Sequence, residues 1–273
     1  MAFLILNKVI RYNTSYYRRL AYYCRQADAI FWERHWQQHF SPSVYRKAEQ
    51  GELDFFEEIF LRWLPREGRI LEAGCGLGHL VLALRVRGYD VEGVEWSKPT
   101  VELVRRWHPD LPIRVGDVTH LDVPDGYYAG YISLGVVEHH KEGPRPFLIE
   151  AWRILKPGGI ALVSVPWFNP LRRLKARLGW YRGDEKGLDF YQYAFTEEEF
   201  ARIMESCGFE VLEIRNYDPM KGFKDEFFLI RHLLRQRLVG WRLKRLLQSF
   251  FNCSPRIAKL VSHMLLIIAQ KPH

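Results

Sequence analysis

Between residues 69 and 165, short apolar runs alternate with stretches in which apolar positions recur every three or four residues. The runs at 69–73, 91–95, 113–115, 129–134 and 160–165 read as strands, and the stretches near 77–87, 98–107 and 146–155 as helices. Strands alternating with helices predict an α/β fold built on a doubly wound, mostly parallel sheet with right-handed crossovers. Residues 1–68 lack strand alternation and are rich in aromatic and charged positions, so they read as helices without a sheet. Within them Leu53, Phe56, Ile59, Phe60, Trp63 and Leu64 keep to one helical face, and Pro65 and Gly68 end that helix. Thr196 followed by Glu199 has the pattern of a capping box, with Phe195 and Phe200 placed as its hydrophobic staple. The helix it opens carries Phe200, Ile203, Met204 and Cys207 on one face, and Gly208 stands where a left-handed cap is wanted. Further strands are predicted at 209–214 and 265–269. The chain thus divides into a helical lid at 1–68, a core at 69–217, a helical insertion at 218–261 and a closing strand within 262–273.

Composition narrows the class. With 273 residues, 48% of them hydrophobic and 26% charged, the chain affords a sizeable core and is not globally disordered. Cys24, Cys75, Cys207 and Cys253 are scattered, with neither CxxC nor metal-ligand spacing, so a reducing cytoplasm is expected and a disulfide framework is not. No apolar run reaches the roughly 20 residues that span a bilayer, and the apolar start at 1–8 is too short for a signal peptide. The net charge of +8 is unevenly placed. Residues 69–165 carry −1, whereas 166–193 carry +3 and 219–273 carry +9.

The densest chemistry lies at Ile70-Leu-Glu-Ala-Gly-Cys-Gly-Leu-Gly78. A strand ends in Glu72, and Gly74, Gly76 and Gly78 turn the chain into a helix while leaving room for a ligand to approach the backbone. A dinucleotide fingerprint needs G-x-G-x-x-G, and its third glycine would fall at His79. The spacing found instead, with an acid two residues ahead, favours a ligand bearing an ammonium group. Glu95 ends the next strand, where an acid can accept two ribose hydroxyls, and Trp96 beside it can lie against an adenine. Asp117 ends the third strand, placed to accept from an exocyclic amine. Each acid alone reads as an ordinary surface carboxylate. Three at successive strand ends beside a glycine turn read as a binding site, because open α/β sheets bind ligands at the carboxyl ends of their strands.

Glu72-Ala-Gly-Cys-Gly-Leu-Gly78, Glu95-Trp96, Gly116-Asp117-Val118, Leu134-Gly-Val-Val-Glu-His-His140 and Leu155-Lys-Pro-Gly-Gly159, in that order, resemble the class I S-adenosylmethionine-dependent methyltransferases. The resemblance covers about residues 53–217 plus the closing strand. It implies a Rossmann-like seven-stranded sheet whose last strand is antiparallel. It also implies that S-adenosylmethionine is the cofactor and S-adenosylhomocysteine the product. By the same resemblance Glu72, Gly74, Cys75 and Gly76 hold the methionine part, Glu95 the ribose, Trp96, Asp117 and Val118 the adenine, and Leu134 contributes backbone.

The sulfonium already activates the methyl group, so the protein's main task is alignment. A base is needed only where the acceptor loses a proton. His139 and His140 are the candidates, and the alternative for either is a structural His capping the next loop. No metal is expected, because Gly135 stands where some quinone-pathway relatives carry an acid. Leu134-Gly-Val-Val-Glu138 departs from the Asn/Asp-Pro-Pro-aromatic tetrad of enzymes that methylate base amines, and no Cys stands near strands four or five. Nucleic acid therefore ranks behind a small-molecule acceptor, with an RNA methyltransferase and a non-catalytic cofactor-binding scaffold as the rival readings.

The basic excess sits in two inserts. Leu171, Leu174 and Leu178 share one face of a helix whose other positions include Arg172, Arg173, Lys175 and Arg177, with Trp180 and Tyr181 following. Leu243, Leu246, Leu247, Phe250 and Phe251 lie opposite Arg242, Lys244, Arg245 and Gln248. Either helix reads as packed on the domain with solvated arginines, or as lying on an anionic membrane surface. The expected acceptor is therefore a small molecule, apolar, anionic or lipid-linked, with peripheral membrane contact as part of the same expectation and O-methylation as the expected reaction.

Overall fold

The computed structural model describes residues 7–13, 17–181, 186–234 and 236–273. The apolar start at 1–6 lies outside them. The N-terminal segment departs from expectation: strands β1 (Asn7–Asn13) and β2 (Tyr17–Cys24) form an antiparallel hairpin before any helix begins. Leu20, Ala21, Tyr22 and Tyr23 are buried in succession, so β2 is covered on both faces and shows no period-two alternation to read. Its tyrosines suit a pleated surface. Helices α1 (Ala29–His39), α2 (Ser43–Ala48) and α3 (Glu57–Trp63) follow.

The core continues as β3 (Ile70–Ala73), α4 (His79–Val86), β4 (Val91–Glu95), α5 (Lys98–Trp107), β5 (Ile113–Val115), β6 (Tyr128–Leu134), α6 (Arg145–Ile154) and β7 (Leu155–Pro166). Then come α7 (Pro170–Arg177), β8 (Asp189–Ala194), α8 (Glu197–Ser206) and β9 (Glu210–Tyr217). Helices α9 (Pro219–Glu226), α10 (Phe228–Leu233), α11 (Arg237–Cys253) and α12 (Pro255–Val261) precede β10 (Met264–Gln270). The main sheet runs β5-β4-β3-β6-β7-β10-β9, with β10 antiparallel to both neighbours. Successive residues of the central strands serve opposite faces. Leu71, Tyr131, Val163 and Leu265 join one core with α6 and α8, while Ile70, Ile132, Leu162 and Leu266 join the other with α3 and α4. Each such side chain contributes about 1.5–3 kcal/mol on burial.

Thr196 caps α8 by accepting from the Glu199 N–H at 3.1 Å, and the Phe195 and Phe200 rings meet at 5.3 Å. The second half of the capping box is not made, because the Glu199 carboxylate instead takes Arg19 of β2. That exchange ties the second sheet, β1-β2-β8, to the core.

Helix α7 overturns the reading of a packed helix with solvated cations. Arg172 and Lys175 are buried, and Leu174 and Leu178 are more than half exposed. The cause is Glu226 at the end of α9. Its carboxylate accepts from Arg172 Nε at 3.1 Å, from Lys175 Nζ at 3.0 Å and from the Tyr181 hydroxyl. Arg172 also donates to the Trp167 carbonyl at 2.6 Å. One buried acid draws both cations inward, and the helix turns its leucines out.

Tyr217 pairs with Met264, and Met264 with Pro166. The 218–263 insertion therefore leaves and rejoins the sheet at its carboxyl end, where the glycine turn also lies, and the first insert leaves there too and returns to it at the Trp167–Phe195 bridge before α8.

Candidate functional site

The glycine turn follows β3. Gly74, Gly76 and Gly78 have φ of +77°, +52° and +68°, a region that glycine enters without strain. A Cβ at Gly74 would stand 2.5 Å from a Val136 methyl, and one at Gly76 would stand 2.5 Å from the Trp36 ring. Glu95, at the end of β4, accepts from the Gly76 N–H and the Ser97 N–H, each at 2.9 Å. The same carboxylate thus pins the turn to the neighbouring strand, and a carboxylate has lone pairs left for further donors. Glu72 is buried, and its Oε2 has no partner. Burial pushes its carboxyl up to about 8, against a backbone N–H that works the other way.

Trp96 is exposed beside Glu95. Asp117 is exposed after β5 and accepts through Oδ1 from the Thr119 N–H and hydroxyl. Val118 is buried beneath it, and Leu134 closes β6 half-buried. Cys75 differs from its neighbours. Its backbone belongs to the turn, but its thiol is buried against Gly93, where a Cβ would come within 2.6 Å of Sγ. It therefore serves packing rather than ligand contact.

His139 and His140 separate. His139 ends a short 3-10 turn, Val137–His139, after β6. Its Nδ1 lies 2.8 Å from the Tyr191 carbonyl, and a carbonyl only accepts, so the ring carries its proton there and Nε2 keeps a lone pair. Burial pulls its pKa down to about 4, with His35 and Lys221 adding to the lowering. Its Nε2 stands 3.8 Å from Glu138 Oε1. Glu138 is buried with Oε2 unpartnered, and burial pushes it up to about 8. His140 instead turns to its own loop. Its Nδ1 donates to the Gly143 carbonyl at 3.1 Å, and its ring meets Phe147 of α6. The structure thus sets His139 beside Glu138 and places His140 outside that cluster.

Helix α1 lies across this row of strand ends. Phe31 meets Tyr191, Trp32 meets the His139 ring at 4.9 Å, Trp36 covers Gly76, and the cap residue Phe40 meets Trp107 of α5. The cap insertion supplies Lys221. Lys221 keeps exposed surface, yet the protein around it lowers its pKa. Its charge acts on Glu138, His139 and His35, and its Nζ lies 2.7 Å from His263 Nε2. Among these, Trp32 and Trp36 left a signal in the sequence, a tryptophan pair at four-residue spacing. Lys221 left none, since only the tertiary fold brings it here.

These residues fit S-adenosylmethionine. The unpartnered Oε2 of buried Glu72 suits the ammonium of its methionine part, the glycine turn leaves room for backbone approach, and Glu95 has capacity for hydroxyl donors. Among the described residues no group of three or more His, Cys, Asp or Glu side chains converges as a metal site.

Comparison with known proteins gives the same picture. Residues 44–214 match the model of a family described as a methyltransferase domain. Over 143 residues the chain is 31% identical to a probable S-adenosylmethionine-dependent methyltransferase of Mycolicibacterium smegmatis, a match covering 52% of each protein. Over 120 residues it is 37% identical to an S-adenosyl-L-methionine-dependent Diels-Alderase of Talaromyces variabilis, covering 40% of this chain and 41% of that one. The chain thus spans about half, or less, of these relatives' length. Among solved structures it resembles a chain of the complex between the Haloferax volcanii Trm112 methyltransferase activator and the putative methyltransferase. That match has a TM-score of 0.57 and 17% identity, and covers 89% of this chain and 96% of the other. The glycine turn, the three strand-end acids and the antiparallel final strand all fall within one architecture, and the chain belongs to the S-adenosylmethionine-dependent methyltransferase family.

Proposed function

We propose that this chain transfers the methyl group of S-adenosylmethionine to an oxygen of a small, acidic acceptor. The cofactor, when bound, supplies an electrophilic methyl on a sulfonium. The observation that carries the reading is His139, held neutral with its Nε2 lone pair beside Glu138 at the end of β6. An acceptor hydroxyl set against Nε2 would give its proton to that nitrogen as its oxygen takes the methyl group the cofactor would supply. A base with a pKa near 4 is best matched to an acidic O–H, so phenols and enols fit and depend on His139, whereas a carboxylate arrives already ionised and accepts the methyl group without the base. Lys221, whose charge acts on His139 and Glu138, supports an anionic acceptor. Trp32, Trp36 and Tyr191 shield the site from water and complete an apolar surround. All four cysteines are free thiols, which supports a cytoplasmic setting.

The test is turnover on phenolic and carboxylic acceptors, read by mass spectrometry as gain of one methylene. His139→Gln should lower kcat on phenols about 10²-fold with cofactor affinity kept, and Lys221→Met should raise KM for anionic acceptors about tenfold. If His139→Gln leaves kcat on phenols unchanged, the assignment of the base is wrong. The likeness to a Diels-Alderase favours one second reading, in which the cofactor is bound and not consumed. A product isomeric with its substrate would support it.

A further inference from the structure

We infer that the outer surface of the two inserts docks on an anionic phospholipid bilayer. The inference stands apart from the proposed acceptor, because it concerns the face of the inserts and not the cleft beneath them.

Charge is the first support. Residues 227–273 contain nine Lys and Arg and not one Asp or Glu. Such a stretch is drawn to a negatively charged interface. Within it, Arg242, Lys244 and Arg245 of α11 and Arg256 of α12 are exposed.

The second support is apolar surface turned to solvent. On α11 the apolar arc is only half covered: Phe251 is buried, whereas Leu246 and Phe250 are 68% and 47% exposed. On α12, Ile257 and Leu260 are exposed as well. The third support is α7, where Leu174 and Leu178 face outward because Glu226 holds Arg172 and Lys175 inside. A helix that buries two of its four cations while two leucines stand in solvent departs from the usual rule for water-facing surfaces, and such departures concentrate where a surface has another partner.

These features belong together. Helices α7 and α12 pack side by side, and the groove where they meet the start of α8 is lined by Arg173, Arg256, Lys259 and Leu260 together with Glu197 and Glu198, so the basic face is the outer one and the acids stay at the α8 side. Glu226 bonds α7 to α9, so the two inserts form one body at the carboxyl end of the sheet.

Exposed leucines interleaved with arginines suit a headgroup boundary, where apolar side chains enter the acyl edge and cations stay with phosphate. Trp180, Trp241 and Phe250, also exposed here, fit the same boundary, whereas the exposed aliphatic side chains Leu174, Leu178, Leu246, Ile257 and Leu260 would add little on a nucleic acid. No helix among the described residues is long and apolar enough to cross a membrane, so the contact is peripheral.

The experiment is flotation of the whole chain with vesicles of equimolar phosphatidylcholine and phosphatidylglycerol, with phosphatidylcholine vesicles as the reference. Binding to the anionic vesicles is expected at low salt, reduced by added salt and at least about tenfold weaker on phosphatidylcholine alone. Leu246→Asp with Leu178→Asp should weaken partitioning about tenfold or more. Both side chains are exposed, so an unchanged melting transition shows that the fold is kept. Arg242→Glu with Arg245→Glu should weaken it on anionic vesicles alone. Absence of flotation at low salt overturns the inference. So does binding that ignores the leucine variants, or salt-sensitive binding of a single-stranded RNA in place of vesicles, which would assign the face to nucleic acid.

Discussion

The cofactor-binding core and the insert that carries α7 solve the placement of charge in opposite ways. In the core, strand interiors are apolar and the functional acids stand at strand ends. Glu95 is satisfied by backbone N–H groups, and Glu72 is buried beside the glycine turn with one oxygen unpartnered. In the insert, an acid from α9 draws two cations into the interior and sends leucines out to solvent. The core uses buried carboxyl groups to await a ligand, whereas the insert uses one to fix a helix. A buried carboxyl group therefore behaves differently in the two regions, according to whether its partners are already present: Glu226 stands against two cations, whereas Glu72 keeps its proton up to about pH 8.

The widest test of that contrast compares Glu226→Gln with Glu72→Gln. Removing the charge of Glu226 leaves Arg172 and Lys175 buried without their counter-ion, and should cost about 3–5 kcal/mol. Glu72 holds its proton up to about pH 8, so its amide is nearly isosteric and stability should change by less than about 1 kcal/mol, while cofactor affinity falls about tenfold or more. Chemical denaturation and cofactor titration of both variants measure this. Equal losses of stability would erase the distinction.

A smaller effect sharpens it through pH. The folded pKa of His139 is lowered to about 4 from 6.5, so the unfolded chain binds more protons between those values. Stability present above pH 6.5 is therefore lost as the pH falls toward 4, by on the order of 2–3 kcal/mol. Glu138 is raised to about 8 from 4.5, so its contribution runs the other way, with stability lost as the pH rises through that window. Denaturation midpoints across pH should show His139→Gln reducing the acid limb, which His35 shares, and Glu138→Gln reducing the other, which Glu72 shares. Limbs undiminished in both variants would move the titration elsewhere.

The smallest effect is local. Thr196→Ala should cost about 1 kcal/mol by removing the α8 cap, with the Arg19–Glu199 pair intact. A loss several times larger in a thermal melt would mean that the cap also supports the second sheet.

Legibility from the sequence followed the same division. The glycine turn, Glu95, Asp117 and the strands around them obey local rules of period and turn chemistry, and the strands at 91–95 and 113–115 were readable to the residue. Strand β2 was not readable, because burial on both faces erases alternation. The orientation of α7 was not readable either, because it depends on Glu226, distant in sequence and on another helix. His139 was readable as a candidate, but its separation from His140 depends on whether the Tyr191 or the Gly143 carbonyl is within reach. Lys221 needed the whole insertion to be folded in place.

Strand order carries a consequence for assembly. Within the sheet, β9 has β10 as its only neighbour, and β10 is also the partner of β7. Residues 210–217 therefore cannot join the sheet until the 46 residues of 218–263 have looped out and residues 264–270 have settled against β7. The insertion is traversed before that edge closes, and the closure joins segments far apart in sequence, the slow kind of contact. Until then one flank of β7 stays open. A folding intermediate with β3–β7 in place and the insertion unsettled is the form in which this chain is most exposed to misassembly.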